Sequence, residues 1–258
     1  MKRAAPSMHL RDGLARFALM CILLSIAAHA AAYLIHEYAH SVLAWSLGWM
    51  SSPFGIDYGS PTLSNVIFLG DVSDNVSYTP IFASGHRVAA AMIALAGTFL
   101  GNGLGYLLAM AAFYRLANRR WAALACFWFA LMCAGNVWSY VPMRVFATHA
   151  DMALAAQGLG LPGWGLLLCL LLPAGWIIWH FLARLFPAAC LATTGHSTAS
   201  RVTLIAMGAF WFFSFFVGDE QGGAYGSIAQ VLSMLSGYAL FPLYVAALSS
   251  ATLREAVE

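Results

Sequence analysis

The sequence predicts an all-α polytopic membrane protein of about six transmembrane helices, with both termini cytoplasmic. Three observations carry that expectation. Of the 258 residues, 62% are hydrophobic and 9% charged, with a mean hydropathy of +0.77; soluble domains run at about 45–50% and about 25%. The apolar residues fall into separate long runs, and the connections between them alternate between basic and acidic. A soluble fold of this size still leaves roughly a quarter of its unfolded surface in water. So apolar a chain cannot cover that surface with polar groups.

A hydrocarbon core about 30 Å thick takes about 20 apolar residues per helix, which places spans at about 17–48, 88–114, 121–142, 164–186, 202–217 and 228–248. Before the first span, Met1 to Arg16 is basic and Ala28-His29-Ala30 has the look of a cleavage site. The apolar run continues through Trp49, far past a signal h-region, so an uncleaved signal anchor is expected. The second span holds two overlapping GxxxG spacings from Gly97 to Gly105, where small residues let helices approach closely. The third ends near Pro142. The fifth is short and rich in aromatics, from Phe210 to Phe216.

Lys2, Arg3, Arg11 and Arg16 precede the first span, and Arg115, Arg119 and Arg120 join the second to the third. Arg184 and Arg201 flank the next basic connection, and Arg254 follows the sixth span. Asp57, Asp71 and Asp74, and then Asp219 and Glu220, mark the opposite side. Lys and Arg accumulate on the cytoplasmic side, which fits an even number of spans and both ends inside. The connections at 50–87 and 143–163 should then lie together on the outer face, where they could cover a site.

A net charge of +2 without a basic stripe excludes nucleic acid as a partner. The five cysteines lie in or beside apolar runs without a CxxC pair, so they read as small buried hydrophobes.

His36-Glu37-Tyr38-Ala39-His40 lies inside the first span. On a helix, residues four apart share a face, so His36 and His40 can aim imidazole nitrogens at one metal ion. Glu37 falls beside the open coordination position, where its carboxylate takes a proton from the attacking water and returns it to a leaving group. Ionisable groups within a span cost at least about 2.5–3.5 kcal/mol each for the charged types, and a bound dication offsets that cost. Catalytic zinc takes three protein ligands and keeps one position open. Asp151 is the first choice for the third, with His149 and His86 behind it. The first and third spans run in the same direction, and His36 lies about 28 Å beyond Phe17, near the outer end. Asp151 follows the end of the third span by a short stretch that could fold back. His29 reads as a satisfied core histidine; His180 and His196 belong to the other half.

Asn136 and Pro142 bracket the end of the third span. Backbone freed there is tolerated only where it lines a cavity or is buried in protein, and a substrate peptide could pair with it. A simple proline-ended helix fits the same residues. Asn136 is a candidate hydrogen-bond donor to substrate, and Asn102 a candidate for orienting a metal ligand.

With these residues in place, the stretch of roughly 25–155 resembles the site-2 protease family of intramembrane zinc metalloproteases. The resemblance rests on His36-Glu37-x-x-His40 in a span, a Gly- and Asn-containing second span, and Asn136, Pro142 and Asp151 after a third. It implies zinc on His36, His40 and Asp151, with Glu37 as general base and a membrane-anchored protein or peptide as substrate. Several features differ from the family pattern. Asn136 and Pro142 are separated, Met152 stands in place of a glycine, and Thr98 stands where many members have proline. The charge bias places the zinc nearer the outer face, whereas most members hold it nearer the cytosol. No connection leaves room for an inserted PDZ or CBS domain.

The expected protein is a single membrane domain over 1–258, with a catalytic core at about 17–155 and additional helices at about 164–250. Its expected activity is zinc-dependent hydrolysis of a peptide bond in the lipid bilayer, with a bacterial inner membrane as the location. Two other readings stand beside it. A di-iron lipid-modifying enzyme needs several histidine boxes, and the eight histidines here are scattered. A non-catalytic chaperone, transporter or assembly factor would carry a structural or vestigial metal site.

Overall fold

The computed structural model describes residues 8–254. Lys2 and Arg3, and the side chains of Arg11, Asp219 and Arg254, lie outside the described residues. Among those described, every long element is a helix, and the one extended pairing is an isolated bridge between Asp57 and Ser73. Six helices are long and apolar enough to cross a membrane: Gly13–Ser46, Arg87–Leu116, Arg120–Phe146, Gly163–Thr194, Thr198–Phe215 and Ser227–Ser250. The first spans 34 residues, about 51 Å at 1.5 Å per residue, so it must tilt or project beyond a core of about 30 Å.

The third span is the centre of the bundle. Leu124, Phe127, Trp128 and Leu131 are fully buried, as an all-round apolar helix requires. The fourth and sixth spans lie outside it and carry exposed apolar side chains such as Leu168, Leu172 and Tyr238. Exposure of that kind suits helices whose solvent is hydrocarbon.

Five of the spans change winding partway, through the π-helical segments Gly97–Gly103, Ser139–Met143, Phe181–Leu185, Trp211–Phe215 and Ser236–Leu240. Three prolines keep company with them. Pro142 lies within one, and Pro187 and Pro242 follow two others closely. Proline lacks an N–H and clashes with the preceding turn; a wider π turn re-spaces the hydrogen-bond ladder around it. That is why the fourth span continues through Thr194, where the count of apolar residues alone places its end near 186. The fifth likewise begins at Thr198 rather than 202, capped by the Ser197 hydroxyl on the Ser200 amide.

Three connections meet at one end of the bundle. The long one, 47–86, is held by its own polar groups: the Asn65 amide donates to Tyr58 and Ser60 carbonyls and accepts from the Asp71 amide. It then runs along the first span. His29 donates to the Phe68 carbonyl, Tyr33 to that of Val72, and Ser41 to that of Asp74. Six extended residues cover about 20 Å and twelve helical ones about 18 Å, so strap and helix keep pace.

Candidate metal centre

His36 and His40 are buried one turn apart in the first span, with ring centroids 4.8 Å apart. Asp151 reaches them from the connection after the third span. That span unwinds in steps, from α-helix to the π segment holding Pro142 and then to a 3-10 turn at Arg144–Phe146. His149 is extended and Ala150 adopts φ 64°, which turns the chain into the helix Ala150–Leu159. Asp151 sits in the first turn of this helix, where the exposed amides and the dipole favour a carboxylate. The helix lies close against the second span: a Cβ on Gly158 would stand 2.5 Å from the Arg87 carbonyl. Arg87 also donates to the Gln157 carbonyl at 2.7 Å.

Asp151 Oδ2 is 3.5 Å from the Nε2 of each histidine. Ligand atoms of His36, His40 and Asp151 all lie within 4.8 Å of one another, so the group could hold a metal ion. Two local observations fit a cation between them. His36 Nε2 is buried without a hydrogen-bond partner. Beside it, the second span shows only backbone, because a Cβ on Gly97 would overlap the Nε2 atoms of both His40 and His36. Gly101 makes a similar approach, with the Ile35 carbonyl 2.8 Å from where its Cβ would be. Both positions lie in the π segment Gly97–Gly103.

The far nitrogens are also held. His40 Nδ1 is 2.6 Å from the Ile93 carbonyl, so it carries the proton and leaves Nε2 free to ligate. His36 Nδ1 is 2.9 Å from the Asn102 amide, whose Oδ1 has no partner in the orientation shown. A metal on Nε2 puts the proton on Nδ1. The Asn102 amide turned over then accepts that proton through Oδ1, exchanging two atoms at fixed positions.

Glu37 is half-buried next to this group, with the Asp74 amide facing its carboxylate. Asp74 Oδ2 is 3.9 Å from His40 Nδ1. Burial raises the Asp74 carboxyl above its usual range, against the pull of His40. Burial also opposes the Asp151 carboxylate, but the two imidazoles beside it outweigh that and hold it well below the usual range. The Tyr78 hydroxyl is buried without a partner and is raised by burial and then by Asp74 and Asp151. Tyr140 packs against His36 with ring centroids 4.8 Å apart.

Among the sequence candidates, His36, His40 and Asp151 come together, with Glu37 and Asn102 against them. His149 and His86 do not join the group. His149 stacks on Tyr225 at 4.8 Å, and His86 packs on Trp49 and meets the Ser84 hydroxyl. His29 is satisfied by the Phe68 carbonyl. Asn136 lines a cavity of about 410 Å³ that also includes Tyr140, Ser139 and Arg144. Asp74, Tyr78 and Tyr140 were not singled out from the sequence. The first two lie in a connection legible only as acidic and polar, and Tyr140 falls between Asn136 and Pro142 without a motif of its own.

Fold and site together define a class: the described residues are all-α, with six helices fit to cross a membrane and a buried His-His-Asp group that could bind a metal. No protein-family model matches the chain, and no curated protein or solved structure does either.

Proposed function

We propose that this chain is an intramembrane zinc metalloprotease cutting a membrane-anchored protein or peptide. The observation that carries the reading is the placement of Glu37. It stands beside His36 and His40, in an apolar helix, at a group whose ligand atoms lie within 4.8 Å of one another. A structural metal site needs the histidines and Asp151 but has no use for that carboxylate.

Two nitrogens and a carboxylate oxygen form a donor set suited to zinc, with room for a fourth, exchangeable position. Zinc bound there supplies a Lewis acid that polarises a carbonyl and makes water acidic near neutral pH. Glu37 accepts the proton of the attacking water and delivers it to the amide nitrogen that leaves. Asn102 and the Ile93 carbonyl keep the imidazoles in the ligating tautomer. Tyr78, with its unpartnered hydroxyl, is the candidate to donate a hydrogen bond to the oxygen on which charge develops.

Zinc content and cleavage of a membrane-anchored reporter, measured on the same detergent-purified protein, test the reading. Wild type is expected to hold about one zinc per chain, as a three-ligand site does, and to cut the reporter. Glu37→Gln keeps the zinc and loses the cut. Full cleavage by that variant excludes the mechanism, and a wild type that takes up no zinc excludes the hydrolase reading altogether.

A further inference from the structure

The cavity of about 410 Å³ lies along the same face of the first span as the metal group. His29 lines it two turns before His36, and Tyr33 lines it one turn before Glu37. Tyr140 forms a wall between the two, lining the cavity with a ring that packs on His36. The distance from His29 to His36 is about 10 Å along the helix, which three extended residues of a peptide cover. Chain bound across the metal group would therefore place a nearby side chain at this cavity.

Its walls state what would fit. Phe68, Phe215, Phe216 and Tyr225 add aromatic faces to those of Tyr33 and Tyr140. The charge inside is already neutralised: Arg144 pairs with the fully buried Glu220 and lies between the rings of Tyr140 and Tyr225, 4.8 and 4.4 Å from their centroids. Ser139 spends its proton on the same Glu220 oxygen. What is left over is one hydrogen-bond acceptor. Asn136 lines the cavity, and its Oδ1 is buried without a partner; a buried acceptor left unpaired is costly. Flat walls, no net charge and an orphan acceptor together call for a flat side chain that brings a donor.

We infer that this cavity is the specificity pocket of the proteolytic site and takes a tryptophan or tyrosine side chain of the substrate, within about three residues of the cut bond. The inference rests on the protease reading for the word substrate, and on the cavity alone for the class of side chain. Lysine finds no net negative charge there, and leucine leaves the Asn136 acceptor unpaired.

The test uses the full chain in detergent, loaded with zinc. One readout is cleavage of synthetic membrane-spanning peptides, identical except for one residue set to Trp, Tyr, Leu, Lys or Asp, with cuts located by mass spectrometry. The other is binding of N-acetyl-tryptophanamide against N-acetyl-leucinamide, followed by saturation-transfer NMR. Two variants probe the pocket: Asn136→Leu, and Gly70→Phe, since Gly70 lines the mouth with nothing within 4 Å of where its Cβ would be. Zinc content reports that each variant has folded.

Peptides with Trp or Tyr should be cut at least about tenfold faster than that with Leu, the lower end of what a pocket contact discriminates. The tryptophan amide should bind in preference to the leucine amide, and both preferences should fall in Asn136→Leu and Gly70→Phe with zinc unchanged. Cleavage indifferent to the varied residue, or fastest with Lys, overturns the pocket and leaves the protease standing. Tryptophan amide binding that the variants abolish, with no peptide cut, upholds the pocket and removes the protease. Neither cleavage nor selective binding overturns both.

Discussion

The second and fourth spans carry the same irregularity in their backbones and use it for different ends. Each passes from α to π winding and back, at Gly97–Gly103 in one and Phe181–Leu185 in the other. In the second span the π segment is glycine-rich and buried at Gly97, Gly101 and Asn102, and it brings backbone against His36 and His40. In the fourth it contains no glycine, buries Phe181 and Leu185 among apolar neighbours, and lets the helix continue past Pro187. A π turn by itself is thus a way of re-spacing a helix. What it accomplishes depends on which side chains are missing and what stands opposite.

The sharpest way to break this contrast is to put a methyl group where the second span needs none. Gly97→Ala forces its Cβ onto two imidazole nitrogens. Zinc content should fall to background, and thermal unfolding should show a loss of about 1–3 kcal/mol or more, typical of overpacking. An alanine variant with full zinc would mean that the close approach of the spans has no bearing on the site.

Asn102→Leu removes an amide and keeps the bulk. His36 then has no partner for Nδ1, and zinc affinity should drop by about 10–100-fold, the usual consequence of losing a group that orients a ligand. Competition with a chelator of known affinity measures it. An unchanged affinity would assign Asn102 to helix packing alone.

Pro187→Ala should do least. The fourth-span π segment carries no ligand, and an alanine fits the start of the helical stretch that follows it. Stability should move by no more than about 1 kcal/mol, and zinc content should not move at all. Zinc loss in this variant would show that the two spans are coupled more tightly than their packing indicates.

Much of the site was legible because it lies on regular helix. The spacing of His36, Glu37 and His40 sets their common face at any 3.6-residue period, and the shared direction of the first and third spans brings Asp151 within range. Asn102 stood out as a buried amide in need of a partner. The choice among Asp151, His149 and His86 was of another kind. His149 is two residues from Asp151, yet it faces Tyr225, because the extended backbone at 149 and the φ of 64° at Ala150 turn the two side chains apart. Spacing carries no such information in an irregular stretch.

The sequence by itself determined the all-α class, the six apolar helices and the histidine pair, since each follows from composition or from a fixed helical period. Tertiary structure alone decided which oxygen completes the group, that Asp74 and Tyr78 arrive from the long connection, and that an aromatic cavity lies beside Tyr140. These depend on chain segments far apart in sequence meeting at one end of the bundle. Contacts of that kind are set by packing and by backbone turns, and no local pattern of residues encodes them.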